Sequence, residues 1–111
     1  MIEYIYLIWT HFLADFILQT DKVAINKSKS NAILLQHVLI YALPFSLLGF
    51  FIKTSPEWLL FNMVAHFITD YFTSRTCSYL WKNEQRHWFF VVIGLDQAIH
   101  MTCLMLSYGR I

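Results

Sequence analysis

Apolar residues in this chain run in four long blocks, Ile2–Leu18, Ile33–Ile52, Trp58–Thr73 and Trp88–Leu106, and the polar residues inside each block keep a helical step. His11, Asp15 and Gln19 recur every four residues in the first block, and His37 and Tyr41 share that step in the second. The third carries Asn62, His66, Thr69, Asp70 and Thr73, and the fourth carries Asp96, His100, Cys103 and Ser107. Steps of three and four place residues on one face of an α-helix. The pattern therefore predicts four helices, apolar almost all round, each with one narrow polar stripe. Helices of that kind sit in lipid, and a span needs about 17–25 residues. The expected fold is all-α, a four-transmembrane-helix antiparallel bundle forming a single integral membrane domain over residues 1–111.

The connections fit that division. Thr20–Asn31 is the most polar stretch, and Ser30 or Asn31 can cap the second helix. Before the third helix, either Thr54 and Glu57 form a capping box or Ser55 caps with Pro56 at the first helical position. Pro44 can bend the second helix.

Composition sharpens the picture. The chain is 58% hydrophobic and only 14% charged, where soluble domains carry about a quarter charged residues; mean hydropathy is +0.50. This sets aside a soluble four-helix bundle. A net charge of +1 gives no reason to expect nucleic acid as a partner. Cys77 and Cys103 form no spaced metal motif and no disulfide framework. The first residues lack the basic region and cleavage site of a signal peptide. Lys22, Lys27 and Lys29 lie in the connection 19–32, and Arg75, Lys82 and Arg86 in the connection 74–87, against Lys53 and Arg110 on the other side. The positive-inside bias then predicts a multi-pass protein of the bacterial or phage-host inner membrane, with both termini outside and the two longer connections cytoplasmic.

Three of the blocks carry a histidine and an aspartate four residues apart: His11/Asp15, His66/Asp70 and Asp96/His100. In the antiparallel arrangement most of these groups, with His37, fall about 6–13 Å below the cytoplasmic boundary at ~1.5 Å per residue, His100 somewhat deeper. A charged Asp at a span's centre costs about 2.5–3.5 kcal/mol, so three cost on the order of 8–10 kcal/mol unless neutralised. Four imidazoles and three carboxylates suit a mixed N/O site for a divalent metal, zinc first, with manganese or iron as alternatives. Seven ligands exceed the needs of one tetrahedral ion, so one or two ions are expected, as in bundles whose facing helices hold metal pairs. Gln19, Tyr41 and Gln97 are the expected supporting or substrate-contacting groups. Cys103 lies one turn beyond His100, but a thiol in an apolar bundle is inert; His87 reads as an interfacial residue.

His11-x-x-Ala14-Asp15-Phe16-x-Leu18-Gln19-Thr20-Asp21-Lys22, His37, His66-x-x-x-Asp70 and Asp96-Gln97-x-x-His100 together resemble domain-of-unknown-function family 3307, small bacterial and phage integral membrane proteins. The resemblance runs from about Tyr4 to His100, and suits a minimal copy on a phage or other mobile element. More loosely the pattern is similar to the membrane-bound metal-dependent hydrolases of the bacterial damage response, which implies a hydrolase. The departure is that every pair here is His/Asp, with no extended His-His motif. The resulting expectation is metal-dependent hydrolysis of a lipid or amphiphilic ester or phosphoester, such as a polyprenyl phosphate, reached from the cytoplasmic leaflet. His11, Asp15, His37, His66, Asp70, Asp96 and His100 are the expected ligands, and Asp15 or Asp70 the general base. A proton- or cation-conducting bundle using the same groups is one alternative, and a non-enzymatic structural or regulatory phage membrane protein another. Membrane lipid is the expected partner, and homo-oligomerisation is left open.

Overall fold

A computed structural model describes residues Met1–Ile111. The fold is all-α, with five helices and no strand: α1 (Ile2–Phe12), α2 (Asp21–Asn26), α3 (Asn31–Leu48), α4 (Pro56–Lys82) and α5 (Arg86–Ser107). Two of them, α3 and α5, are long and apolar enough to cross a membrane. Helix α1 misses on length, having 11 residues and a further 5 in the π-helical turn Leu13–Ile17 that continues it. Helix α4 has length to spare at 27 residues, but its polar stripe and the polar turns after Thr73 lower its hydropathy.

Three boundaries differ from the sequence expectation. The first block is not one regular helix to Leu18: it widens into the π turn, closed by Leu18 N–H donating to the Leu13 carbonyl at 3.0 Å. The polar stretch after it holds α2, capped by Thr20, whose hydroxyl accepts from the Val23 N–H at 3.3 Å, and docked through buried Val23. The third helix does not stop at Thr73 but runs on to Lys82. Its polar last turns find partners there: Arg75 donates to Asn31 Oδ1 at 2.8 Å and Ser78 to Ser28 Oγ at 2.7 Å. Charge in this segment reflects an emerging helix end rather than a loop. Of the two alternatives at each cap, Ser30 rather than Asn31 caps α3, accepting from Ile33 N–H at 3.3 Å. Ser55, with Pro56 following, caps α4, accepting from Trp58 N–H at 3.0 Å.

The connection between α4 and α5 shrinks to Asn83–Gln85. Gln85 N–H donates to the Leu80 carbonyl at 2.9 Å and Glu84 N–H to that of Trp81 at 3.1 Å, the paired bonds of a Schellman cap. Glu84 holds the left-handed position with φ 59°, which costs an L-residue about 1–2 kcal/mol. Glu84→Gly is expected to stabilise the protein by about 0.5–1 kcal/mol after the extra chain entropy of glycine is subtracted. A rise in thermal midpoint in detergent checks this, and a fall would mean that Glu84 makes a compensating contact.

The interior is polar where a water-soluble bundle would be apolar. His11, Asp15, His37, His66, Asp70, Asp96 and His100 are all buried. A second buried layer is apolar: Leu7, Ala14, Tyr41, Phe45, Leu48, Ile52, Trp58 and Leu104 form one cluster. Outward, Leu35, Leu39, Leu43 and Leu47 form an exposed stripe on α3, and Leu60, Val64, Ile68 and Phe72 another on α4. Both stripes keep a step of four, so each helix turns its most apolar side away from the rest of the chain.

Candidate metal centre

The polar stripes of α1, α3, α4 and α5 meet in one place. The π turn presents Asp15 there, and from it the carboxylate reaches across to α3 as well as back to its own helix. Asp15 Oδ1 lies 3.0 Å from His37 Nε2 and 3.7 Å from His66 Nε2. Asp70 Oδ2 lies 3.3 Å from each of the same two nitrogens. His37 Nε2 and His66 Nε2 are themselves 3.0 Å apart. These five separations, 3.0 to 3.7 Å, bracket the ~3.3–3.4 Å edge of a tetrahedron whose corners lie ~2.0–2.1 Å from one ion.

Hydrogen bonding alone does not account for this cluster. A ring nitrogen carries at most one proton, yet His37 Nε2 faces two carboxylate oxygens and a second ring nitrogen. Asp15 Oδ1 is buried without a hydrogen-bond partner. One central cation would serve all four atoms at once, so the residues His37, His66, Asp15 and Asp70 fit a metal ion.

Beside it lies a second group, Asp15, Asp96 and His100, whose ligand atoms are within 4.8 Å of one another. His100 Nε2 sits 3.1 Å from Asp96 Oδ2 and 3.1 Å from Asp70 Oδ1. Asp70 thus turns one oxygen to each group. Ring stacking sets the imidazoles: His66 lies between Tyr41 and His100, with centroids 4.0 Å away on each contact.

His11 belongs to neither group, although its Nε2 lies 3.6 Å from Asp15 Oδ2. Gln97 Nε2 faces Asp15 Oδ2 at 3.2 Å and Asp96 Oδ2 at 3.0 Å, so it donates to both, and the opposite amide orientation would set oxygen against two carboxylates. Gln97 Oε1 then accepts from His11 Nε2–H at 2.7 Å, and His11 Nδ1 accepts from the Tyr41 hydroxyl at 3.2 Å. With both ring nitrogens engaged, His11 orients Gln97 and through it Asp15 and Asp96. Gln97 and Tyr41 occupy supporting positions, whereas Gln19 lines the adjoining cavity with its buried Oε1 unpartnered. His87 is exposed, and Cys103 is a half-buried free thiol.

Two contributors lie outside the expected ligand and supporting sets. Lys27, just after α2, places Nζ 3.0 Å from Asp70 Oδ2. Burial opposes its charge, but Asp70 and Asp15 outweigh that and hold the ammonium above the ordinary lysine range. Nothing in the sequence separates Lys27 from Lys22 or Lys29; the fold of α2 alone selects it. Thr73, visible on the stripe of α4, donates to Asp96 Oδ1 at 2.5 Å. Above these groups a cavity of about 690 Å³ reaches the surface beside α2, with Asp15, Asp70, Asp96 and Gln97 in its lining.

The model of a protein family of unknown function, DUF3307, matches residues 4–111. The chain belongs to the DUF3307 family. The match extends beyond His100, where the recognisable motifs end, so this DUF3307 member carries the family pattern across α1 to α5. No curated protein and no solved structure matches the chain. The looser likeness to damage-response hydrolases therefore has no named relative behind it, and the family description assigns DUF3307 proteins no reaction.

Proposed function

We propose that this DUF3307 member is an integral membrane metalloprotein that hydrolyses an amphiphilic substrate from the cytoplasmic leaflet. The observation that carries the reading is the gathering of His37, His66, Asp15 and Asp70, whose ligand atoms lie within 4.8 Å of one another, with Asp96 and His100 beside them. In this reading α1 with its π turn, α3, α4 and α5 all span the bilayer as a single domain, the apolar stripes of α3 and α4 face acyl chains, and the buried layer of acids avoids lipid. Both termini are outside. The hydrogen bonds from Ser78 to Ser28 and from Arg75 to Asn31 gather the basic connections at one end, in keeping with a cytoplasmic face for that end.

Zinc would suit four N/O ligands at this spacing, and Asp15, which belongs to both groups, would be shared if two ions bound. Bound divalent metal supplies Lewis acidity and an activated water. The protein's own part is positional. Asp15 and Asp70 both line the cavity, and whichever of them keeps an oxygen free of the ion can take a proton from water entering it. Gln97 and Thr73 hold Asp96, and the apolar layer beneath excludes water.

That same apolar layer argues against a transmembrane proton or cation relay. A relay needs titratable groups through both leaflets, but beyond Tyr41 the bundle is packed by Leu7, Phe45, Leu48, Ile52, Trp58 and Leu104, and the buried polar pair there, Asn62 and Ser107, carries no ionisable group. Elemental analysis of purified protein tests the reading: about one to two divalent ions per chain are expected, with Asp70→Asn reducing the content well below one. Metal-free protein whose proteoliposomes pass protons would establish the relay instead.

A further inference from the structure

The cavity above the metal centre has two chemically distinct surfaces. Phe16, Trp81, Phe89 and Ile93 give it an apolar wall, and Lys27, Lys29 and Lys82 supply cations. Its floor is Asp15, Asp70 and Asp96. Two further groups in the lining, Gln19 Oε1 and Ser74 Oγ, are buried without hydrogen-bond partners. The Ser74 hydroxyl can donate to an anion, whereas the Gln19 amide oxygen can only accept, so the lining holds one donor to spare.

Charge decides what such a cavity accepts. Three lysines against three aspartates balance, and the acidic floor by itself repels an anion. Each divalent ion at the floor shifts the sum by two positive charges, so the loaded cavity becomes an anion site with an apolar side wall. Its ≈ 690 Å³ falls within the range that encloses a drug-sized ligand, enough for a headgroup and the first part of a chain. The largely buried position of Lys27, beside Asp70, puts a fixed cation where the headgroup would meet the floor.

We infer that the substrate is a phosphorylated lipid, its phosphate held between the metal ions and Lys27, Lys29 and Lys82, and its hydrocarbon chain laid along Phe16, Trp81, Phe89 and Ile93. This rests on the metal reading above and narrows it from amphiphiles in general to those with a phosphate head. A neutral ester would make no use of the lysine charges at the cavity. A free phosphate would leave the apolar wall uncovered.

The test uses full-length protein in detergent, loaded with zinc or stripped by chelator. Binding is measured for a prenyl monophosphate, for the unphosphorylated prenol of equal chain length, and for inorganic phosphate. With metal content at one or more per chain, the prenyl phosphate is expected to bind at least about tenfold tighter than either comparator, and stripping the metal should abolish that preference. Lys29→Glu combined with Lys82→Glu, both exposed in the native protein, should weaken prenyl phosphate binding about tenfold and leave metal content unchanged. Equal binding of the prenol or of inorganic phosphate by metal-loaded protein overturns the lipid inference alone, as does full affinity in the double variant. A chain that takes up no metal overturns both readings.

Discussion

His37→Ala is expected to empty the four-ligand group, whereas His11→Ala should leave metal bound with reduced affinity. The contrast comes from where the ring nitrogens point. His37 Nε2 lies 3.0 Å from Asp15 Oδ1, 3.0 Å from His66 Nε2 and 3.3 Å from Asp70 Oδ2, which makes it one corner of the tetrahedron. His11 has neither nitrogen in that position, being bonded to Tyr41 and Gln97. Loss of a supporting group of this kind costs about 10–100-fold in metal affinity, and loss of a corner should exceed that. Competition against a chromogenic chelator measures both variants, with gel filtration in detergent to confirm that each folds. Equal losses, or a larger one for His11→Ala, would place the ion on a different set of atoms.

Lys27→Met should make the protein's stability depend on metal. Asp70 is buried and Lys27 nearly so, with side-chain exposures of 1% and 16%. Removing one partner of a buried ion pair costs about 3–5 kcal/mol. Three imidazoles remain around Asp70, and Lys27 keeps some contact with solvent, so a smaller loss, about 2–3 kcal/mol, is expected in chelator. A divalent ion compensates the same carboxylates, and added zinc should restore most of the loss. Thermal unfolding in detergent, with and without zinc, reads this directly. A deficit of the same size in both conditions would mean that Lys27 acts by packing its methylene stem, with no electrostatic link to the ion position.

The helical stripes are legible from spacing because a step of four fixes the direction of a side chain on its own helix. Spacing alone therefore turns His11, Asp15, His66, Asp70, Asp96 and His100 inward, and all six are buried. Direction does not identify a partner. Whether His11 or His37 completes the tetrahedron depends on Tyr41 and Gln97, which reach His11 from two other helices, and no local spacing encodes that. The π turn is invisible for a related reason: Leu13–Ile17 is as apolar as a regular helix, and one extra residue per turn leaves no mark in composition. The extension of α4 past Thr73 is equally silent, because Arg75 and Lys82 suit a loop as well as the wet end of a long helix. Lys27 reads from sequence only as a topological charge, since its approach to Asp70 spans 43 residues.

The exposed stripes on α3 and α4 divide the chain's tolerance to change in an unusual way. Leu35, Leu39, Leu43, Leu47, Leu60, Val64, Ile68 and Phe72 need only be oily, so exchanges among leucine, isoleucine, valine and phenylalanine there should drift freely. Inside, a single atom exchanged at Asp15 or His66 changes the chemistry. The usual advice for finding what matters in a bundle, to look first at its greasy positions, points the wrong way for this molecule.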